Sequence, residues 1–175
     1  MTLEAVAKPF DKALFRRAMG SFASGVTVVG VDDVDAGEPH GMTANAFMSG
    51  CTDAALCVVS VNKRARTHGL VLSAGRFGVT ILADDQEAIA RHFAGQRTPL
   101  ARYNFQRLAG APVLANACTQ IAAKLSAPLD CGDHTLFVGE ILALEVAERP
   151  PLLYHRGAFR NFSQRVASAP IPEFW

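Results

Sequence analysis

Three short segments of this sequence contain residue types that could do chemistry, and the first is Gly132-Asp133-His134, just before a long apolar segment. An imidazole titrates near neutral pH, so His134 could hydrogen-bond a carboxamide, orient a ring or relay a proton. Asp133 could influence the charge of that imidazole. An Asp-His pair at a turn is more often structural than catalytic, so these residues alone leave both interpretations open.

The second segment runs from Gly41 to Phe47 and consists mostly of small and short polar residues. Its backbone N–H and C=O groups are approachable because little side chain covers them. Thr43 and Asn45 can add directed hydrogen bonds to a heterocycle, so the segment could lie flat against a planar ligand. An Asx or Thr turn leading into a strand would produce the same pattern, and the residues do not choose between the two.

The third segment, Ser60 to His68, joins the end of a predicted strand to a predicted helix that Gly75 ends. A helix N-terminus presents unsatisfied N–H groups and a partial positive charge, which favours an anion. Arg66, with Thr67 or Ser60, could complete a phosphate cradle there. A short charge cluster is more commonly a solvated basic turn, so this alternative also stays open.

The elements that must position these segments are mostly strands. Short segments rich in β-branched residues and bounded by turn-forming residues predict strands at Gly25–Val31, Leu56–Val61, Phe77–Leu82 and Leu136–Glu148, and a less regular one at Cys118–Ser126. Gly139 is a candidate for a β-bulge. No regular crossover helices separate these strands. The pattern therefore favours a closed or nearly closed β-barrel with peripheral helices, a mainly β fold.

Two further helices are predicted outside the strands. The first spans Lys12–Ala23 with Asp11 as N-cap, and its apolar stripe is expected to pack in the core; the stripe comprises Leu14, Phe15, Ala18, Met19 and Phe22. In the second, Asp84 and Glu87 fit the cap and N3 positions of a capping box, and Gly95 closes the helix.

Composition and missing motifs exclude several classes of protein. Lys and Arg number 17 against 16 Asp and Glu, a net charge of +1, which argues against a nucleic-acid partner. No apolar run approaches a membrane span and no secretion signal is present, so a cytoplasmic protein is expected. The Rossmann, P-loop, G-x-S-x-G and H-E-x-x-H motifs are absent. The four cysteines are interpreted as reduced core thiols, with a zinc site as a weaker alternative.

The order of several motifs along the chain resembles the flavin reductase-like family. The motifs are F-R-R-A-M-G-S-F-A-S-G-V-T-V-V, G-M-T-A-N-A-F, S-V-N-K-R-A-R-T-H, R-H-F-A-G, G-D-H-T-L-F-V-G-E and P-L-L-Y-H-R-G, and they extend from about Phe15 to Phe162. The resemblance implies a split β-barrel of the FMN-binding type and a homodimer. It also implies the small reductase component of a two-component flavin-dependent monooxygenase, which uses NADH or NADPH to reduce a loosely held FMN or FAD.

The resemblance also assigns site residues. Those implied to line the isoalloxazine are Thr43, Ala44, Asn45 and Ala46, and those implied to hold the flavin phosphate are Ser60, Asn62, Arg66 and Thr67. Phe93 would lie beside the flavin, His134 would contact the nicotinamide, and Tyr154 with Arg156 would complete the dinucleotide side. The chain departs from the family at Ala54-Ala55, where two prolines are common, and at Gly50-Cys51. These departures bear on the turn that follows the Thr43 segment.

Three functions follow as hypotheses for one domain spanning residues 1–175, with its core at about 12–162. The first is a reductase that transfers hydride from nicotinamide C4 to flavin N5, in which placement of the two rings is the main contribution of the protein. The second is a non-enzymatic flavin carrier. The third is a flavin-dependent reductase of another acceptor, such as a corrinoid.

Overall fold

The computed structural model describes residues 11–96 and 99–162. Its helices are α1 (Lys12–Met19), α2 (Arg66–Ala74) and α3 (Glu87–Phe93), the last preceded by a 3₁₀ turn at Asp84–Gln86. Its strands are β1 (Ser24–Gly25), β2 (Thr27–Asp33), β3 (Glu38–Ala44), β4 (Phe47–Cys51), β5 (Leu56–Asn62), β6 (Arg76–Ile81), β7 (Phe105–Leu108), β8 (Ala111–Leu114), β9 (Thr119–Cys131), β10 (His134–Val146), β11 (Leu152–His155) and β12 (Ala158–Asn161). The prediction of a mainly β protein with peripheral helices is confirmed.

Seven strands form one antiparallel sheet in the order β3-β2-β6-β9-β10-β5-β4. The two end strands, β3 and β4, follow each other in the chain, and only Asn45 and Ala46 lie between them. Three peptide steps span at most about 11 Å, so the sheet must curve until its two ends meet. This curvature produces the barrel and places the Gly41–Phe47 segment at the seam where the barrel closes.

Alternation along the strands decides which side chains fill the barrel. On β5, Cys57, Val59 and Val61 are buried, while Ser60 and Asn62 lie on the opposite face and are partly exposed. The inward side chains of neighbouring strands pack against them, including Val29, Val31, Phe77, Val79 and Phe137. Hydrophobic burial on one face of β5 thus presents its polar residues on the other.

A second apolar cluster lies on the other face of β2. It comprises Val26, Val28, Leu82, Ile89, Ala90, Leu114 and Leu152. There the β7–β8 hairpin crosses the barrel at Gly30 and Gly78, which are paired across β2 and β6. A Cβ atom on either glycine would overlap the carbonyl oxygen of Pro112, so these positions admit the close backbone approach only because they lack a side chain.

The two longest strands confirm the predictions for the later half of the chain. β10 covers His134–Val146, and its register against β9 shifts between Val138 and Gly139, as expected for a bulge. β9 is a full strand of 13 residues, longer than the sequence pattern indicated.

Helix α2 matches its prediction, but the capping of α3 does not. Gly75 ends α2 in the left-handed conformation (φ 61°). The predicted capping box of Asp84 and Glu87 is wrong, because the Gln86 side chain accepts the hydrogen bond from the Ala83 N–H at 2.9 Å. Glu87 instead pairs with Arg91 one turn later, at 2.6 Å.

Helix α1 begins as predicted, with the Asp11 carboxylate accepting from the Ala13 N–H at 2.8 Å, but it ends at Met19. The prediction that its apolar stripe packs in the core is wrong. No residue of α1 is buried, and Leu14, Phe15, Met19 and Phe22 are between 51% and 81% exposed. The helix follows the outside of the molecule, where Gly20 accepts a hydrogen bond from the Arg156 N–H at 2.9 Å.

The cysteines divide into two classes, so their interpretation as core thiols is only half correct. All four are free; Cys57 and Cys118 are buried, whereas Cys51 and Cys131 are exposed. Burial raises the pKa of the Cys57 thiol to about 11. Within residues 11–96 and 99–162, no group of three or more His, Cys, Asp or Glu side chains could hold a metal ion. In the same part of the chain, no helix is long and apolar enough to cross a membrane.

Candidate functional site

The barrel seam joins the Gly41–Phe47 segment to the Ser60–His68 segment. The Ala46 carbonyl accepts a hydrogen bond from the Ser60 N–H at 3.0 Å, and this contact links the two segments directly. Asn45 and Ala46 are both exposed. These two residues of the segment are therefore accessible to solvent, and they adjoin the predicted phosphate cradle.

A cavity of about 210 Å³ opens beside the seam. Thr43, Ala44 and Asn45 line it together with Tyr154, which belongs to the separate sheet β1-β11-β12. The structure thus brings together two segments assigned to the two reacting rings, although they are far apart in the sequence. The remaining lining residues are Val26, Ala94 and Phe159.

Two of these lining residues depend on contacts that the sequence did not reveal. The Phe159 ring stacks edge-on against Tyr154, with centroids 5.5 Å apart, and the Arg91 guanidinium lies 5.0 Å from the Phe159 centroid. These contacts hold one wall of the cavity. Only the tertiary packing of α3 against β12 reveals these contacts, because Phe159 lies outside the motifs of the sequence.

Thr43 has a different hydrogen bond from the one expected. Its hydroxyl donates to the Ala90 carbonyl at 2.7 Å, which ties β3 to α3. The donor expected for a heterocycle is thus already engaged within the protein. Asn45 is the remaining polar side chain of this segment with an exposed amide.

Phe93 packs directly over Gly41. A Cβ atom at Gly41 would lie 2.5 Å from the Phe93 ring, so the absence of a side chain there is what admits the aromatic ring. Phe93 also contacts Tyr103 and Phe105, with centroid distances of 4.8 and 5.8 Å. Phe93 itself does not line the cavity, whereas the next residue, Ala94, does.

The predicted phosphate segment forms a tight turn into α2. The Asn62 side chain accepts from the Arg64 N–H at 2.9 Å, and the Asn62 carbonyl accepts from the Ala65 N–H at 2.9 Å. This Asx turn begins the helix at Arg66. Ser60 and Asn62 share the outer face of β5 next to Arg66, whereas Thr67, the fourth residue assigned to the phosphate, is buried.

Two residues that the sequence did not single out contact this stretch. Asp33, at the end of β2, pairs with the Arg66 guanidinium at 2.5 Å, and His40 on β3 hydrogen-bonds the Thr67 hydroxyl at 3.0 Å. Burial, and after it the charge of Arg66, holds the pKa of His40 below its ordinary value, while Asp33 opposes that shift. No sequence signal marks either residue, because the strand register creates these contacts.

His134 lies beside the phosphate segment. It opens β10 directly opposite Asn62, and its Nδ1 is 2.7 Å from the Asp133 carboxylate. That hydrogen bond holds the pKa of Asp133 below its ordinary value. Lys63 stabilises the Gly132–Asp133 turn with two hydrogen bonds. Its backbone N–H donates to the Asp133 carbonyl at 3.0 Å, and its Nζ donates to the Gly132 carbonyl at 2.7 Å.

Arg156 belongs to a different part of the surface. It lies in the β11–β12 turn with φ 50° and lines an open groove of about 770 Å³ with Arg16 and Arg17 of α1. Tyr154 thus lines the seam cavity and Arg156 lines the separate groove beside α1, while His134 is on the large sheet opposite Asn62.

Comparison with known proteins gives a consistent result. The flavin reductase-like domain model matches residues 19–163. An NADH-dependent flavin reductase from Rhodococcus sp is 40% identical over 147 residues, which cover 83% of this chain and 84% of the relative. The reductase component of a 4-nitrophenol 4-monooxygenase/4-nitrocatechol 2-monooxygenase from Rhodococcus opacus is 34% identical, over 90% of this chain and 84% of the relative.

Solved structures match over similar lengths. Flavin reductase PheA2 in its native state superposes with a TM-score of 0.84 at 38% identity, covering 89% of this chain and 100% of that chain. The NADH:FAD oxidoreductase SgcE6 of Streptomyces globisporus, in complex with NAD and FAD fragments, has a TM-score of 0.80 at 33% identity, over 91% of this chain and 97% of that chain.

Proposed function

This chain belongs to the flavin reductase-like family, and from that premise we propose that it is an NADH-dependent flavin reductase that supplies reduced FMN or FAD to a separate monooxygenase component. The observation that carries the proposal is the cavity at the barrel seam. There the small-residue segment Thr43–Asn45 faces Tyr154 across a space open to the surface.

The residues at the seam fit a planar ring with a phosphate tail. The exposed backbone at Asn45 and Ala46 would contact the isoalloxazine, and Ala44 and Thr43 would form the floor beneath it. The ring would then lead, across the hydrogen bond between Ala46 and Ser60, to the phosphate segment. Ser60, Asn62 and Arg66 would hold the phosphate at the N-terminus of α2, and the buried Thr67 would support that first turn from within.

The nicotinamide side of the site has fewer fixed contacts. Tyr154 would cover the ring within the cavity, Phe93 would support the flavin side from behind Gly41, and Arg156 would attract the phosphates of the dinucleotide. His134 would hydrogen-bond the nicotinamide carboxamide, with Asp133 fixing its ring through Nδ1.

When both were bound, the nicotinamide would supply a hydride from C4 to N5 of the flavin, a reaction that asks the protein for neither a nucleophile nor a metal ion. What this chain contributes is the placement of the two rings and the exclusion of water between them. Holding reacting atoms at about 3 to 3.5 Å can lower a barrier by several kcal/mol. A rigid seam, fixed by the Thr43 hydrogen bond to α3, suits that task.

Steady-state oxidation of NADH by the purified protein, with and without added FMN, FAD or riboflavin, tests this function. We expect turnover that rises and saturates with added flavin, because the open site exchanges it. A yellow protein that binds flavin but oxidises no NADH would contradict the proposal and favour a flavin carrier. Oxidation that requires a further acceptor, with flavin retained, would indicate a dedicated electron relay.

A homodimer is part of the proposal. Along the outer half of β10, Leu142, Leu144 and Val146 alternate on one face and are 42% to 73% exposed. Met48 on β4 and Leu129 on β9 are also more than half exposed. Rows of exposed apolar side chains on a sheet are typical of a subunit interface, and a second copy of this chain is the partner we propose.

A further inference from the structure

The phosphate segment rests on a second layer of side chains from the β2–β3 hairpin. Asp33 ends β2 and its side chain is only 3% exposed, whereas the Arg66 side chain paired with it is 60% exposed. A buried carboxylate is costly unless it is paired and hydrogen-bonded. Asp33 meets both conditions, because its Oδ2 contacts Arg66 and its Oδ1 accepts from the Ala36 N–H at 3.3 Å.

This geometry fixes the guanidinium from one side. The hairpin turn holds the carboxylate, since the Gly37 N–H also donates to the Asp33 carbonyl at 3.0 Å. The carboxylate in turn holds one edge of Arg66. The Arg66 side chain nevertheless stays 60% exposed at the N-terminus of α2, where an anion would lie.

His40 does the same for the next residue of α2. Its Nε2 lies 3.0 Å from the Thr67 hydroxyl, and Thr67 is only 1% exposed. The Thr67 side chain is therefore turned inward to the hairpin, and a residue this buried supports the first turn of α2, which carries Arg66, from within. The role expected for its hydroxyl thus changes from ligand to anchor.

We propose that Asp33 and His40 are positioning residues that set the phosphate specificity of the flavin site, Asp33 by orienting Arg66 and His40 by anchoring Thr67. The inference rests on the proposed function, and it concerns which flavins the site prefers rather than whether hydride is transferred. It makes the β2–β3 hairpin, which touches neither ring, a determinant of the preference for phosphorylated flavins over riboflavin.

Equilibrium binding of FMN and riboflavin, followed by the quenching of flavin fluorescence, tests the role of Asp33 without requiring turnover. The ratio of the riboflavin Kd to the FMN Kd measures what the phosphate contributes. For Asp33→Asn, an isosteric change that places an amide against the guanidinium, we expect this ratio to fall about tenfold, with the riboflavin Kd nearly unchanged. In an Arg66→Ala background, the same change should have no further effect on the ratio.

Asp32→Asn is the matched control. Asp32 precedes Asp33 on β2 and also pairs with an arginine, Arg107, at 2.6 Å, but it points away from α2. The ratio should stay at the wild-type value. An Asp33→Asn protein that keeps or increases its preference for FMN, or that loses FMN and riboflavin affinity equally, would overturn the proposal for Asp33.

A second pair of variants tests His40 and remains informative if Asp33→Asn folds poorly. Thr67→Val removes the hydroxyl that His40 contacts and should lower the ratio about threefold, whereas Thr67→Ser should retain it. Equal Kd ratios in Thr67→Val and Thr67→Ser would contradict the proposal that His40 anchors Thr67 through its hydroxyl. NADH turnover, measured on the same proteins, distinguishes a failure of this inference from a failure of the proposed function. A variant that loses the preference for FMN but keeps normal turnover with riboflavin supports this inference. A wild-type protein that turns over no flavin contradicts the proposed function instead.

Discussion

At the level of single residues, the site depends on polar groups that are already engaged within the protein. The Thr43 hydroxyl is bound to Ala90, the Thr67 hydroxyl to His40 and the His134 Nδ1 to Asp133. Each contact fixes a side chain that the sequence alone would present as a free ligand. Hydrogen bonds of this kind preorganise a site, because the side-chain entropy is lost on folding and not on binding.

His134 is the residue whose role can be tested most directly. We expect His134→Ala to raise the KM for NADH about five- to tenfold, or to slow flavin reduction by a similar factor, because the proposed hydrogen bond to the nicotinamide would be lost. Flavin affinity should stay near the wild-type value. Stopped-flow reduction and flavin titration measure the two separately.

The control for His134 is Glu140→Gln, an exposed position on the same strand. It should change neither quantity. An equal loss of NADH and flavin affinity in His134→Ala would contradict a role specific to the nicotinamide. It would indicate instead that His134 contacts the flavin, since the residue lies opposite Asn62 of the phosphate segment.

At the level of elements, close packing at two glycines sets the position of the β7–β8 hairpin. Gly78→Ala would drive a methyl group into the Pro112 carbonyl, and backbone cannot move aside as a flexible side chain can. We expect the free energy of unfolding to fall by about 2 kcal/mol or more, measured by denaturant titration.

Gly69→Ala is the matched change for Gly78→Ala. Gly69 lies inside α2 with no atom within 4 Å of an added Cβ, so alanine should be neutral or stabilise the protein by up to about 1 kcal/mol. If Gly78→Ala and Gly69→Ala changed the free energy of unfolding equally, overlap with the Pro112 carbonyl would not explain the effect of Gly78→Ala.

The helices show why local signals succeeded in one place and failed in another. The Gly75 stop of α2 is a property of a single residue that readily adopts positive φ, and it was predicted correctly. The stripe on α1 indicates an amphipathic helix, but a stripe does not say what covers it. Within the described chain, Leu14 and Met19 remain more than half exposed.

At the level of the whole molecule, the apolar row on β10 leads to a prediction about assembly. Leu144→Lys should convert the proposed dimer to a monomer, since a charge would be buried at the interface. Sedimentation or light scattering during gel filtration measures the mass. Val34→Lys is the control, because Val34 is 89% exposed in the β2–β3 turn, away from that row. A monomeric wild-type protein would contradict the homodimer.

The sequence alone predicted five of the twelve described strands (β2, β5, β6, β9 and β10), the course of α2, the bulge at Gly139 and the family. These features depend on local alternation, on glycine and on motifs that are contiguous in the chain. The family resemblance also assigned Thr43–Ala46 and Ser60–Thr67 to one flavin site, which stays a prediction, and the structure shows that the two segments adjoin. The structure alone decided that Tyr154 faces Thr43, that Asp33 and His40 stand behind the phosphate segment, and that α1 lies outside the core. Those contacts join residues far apart in the chain, and only strand register and the closing of the barrel bring them together.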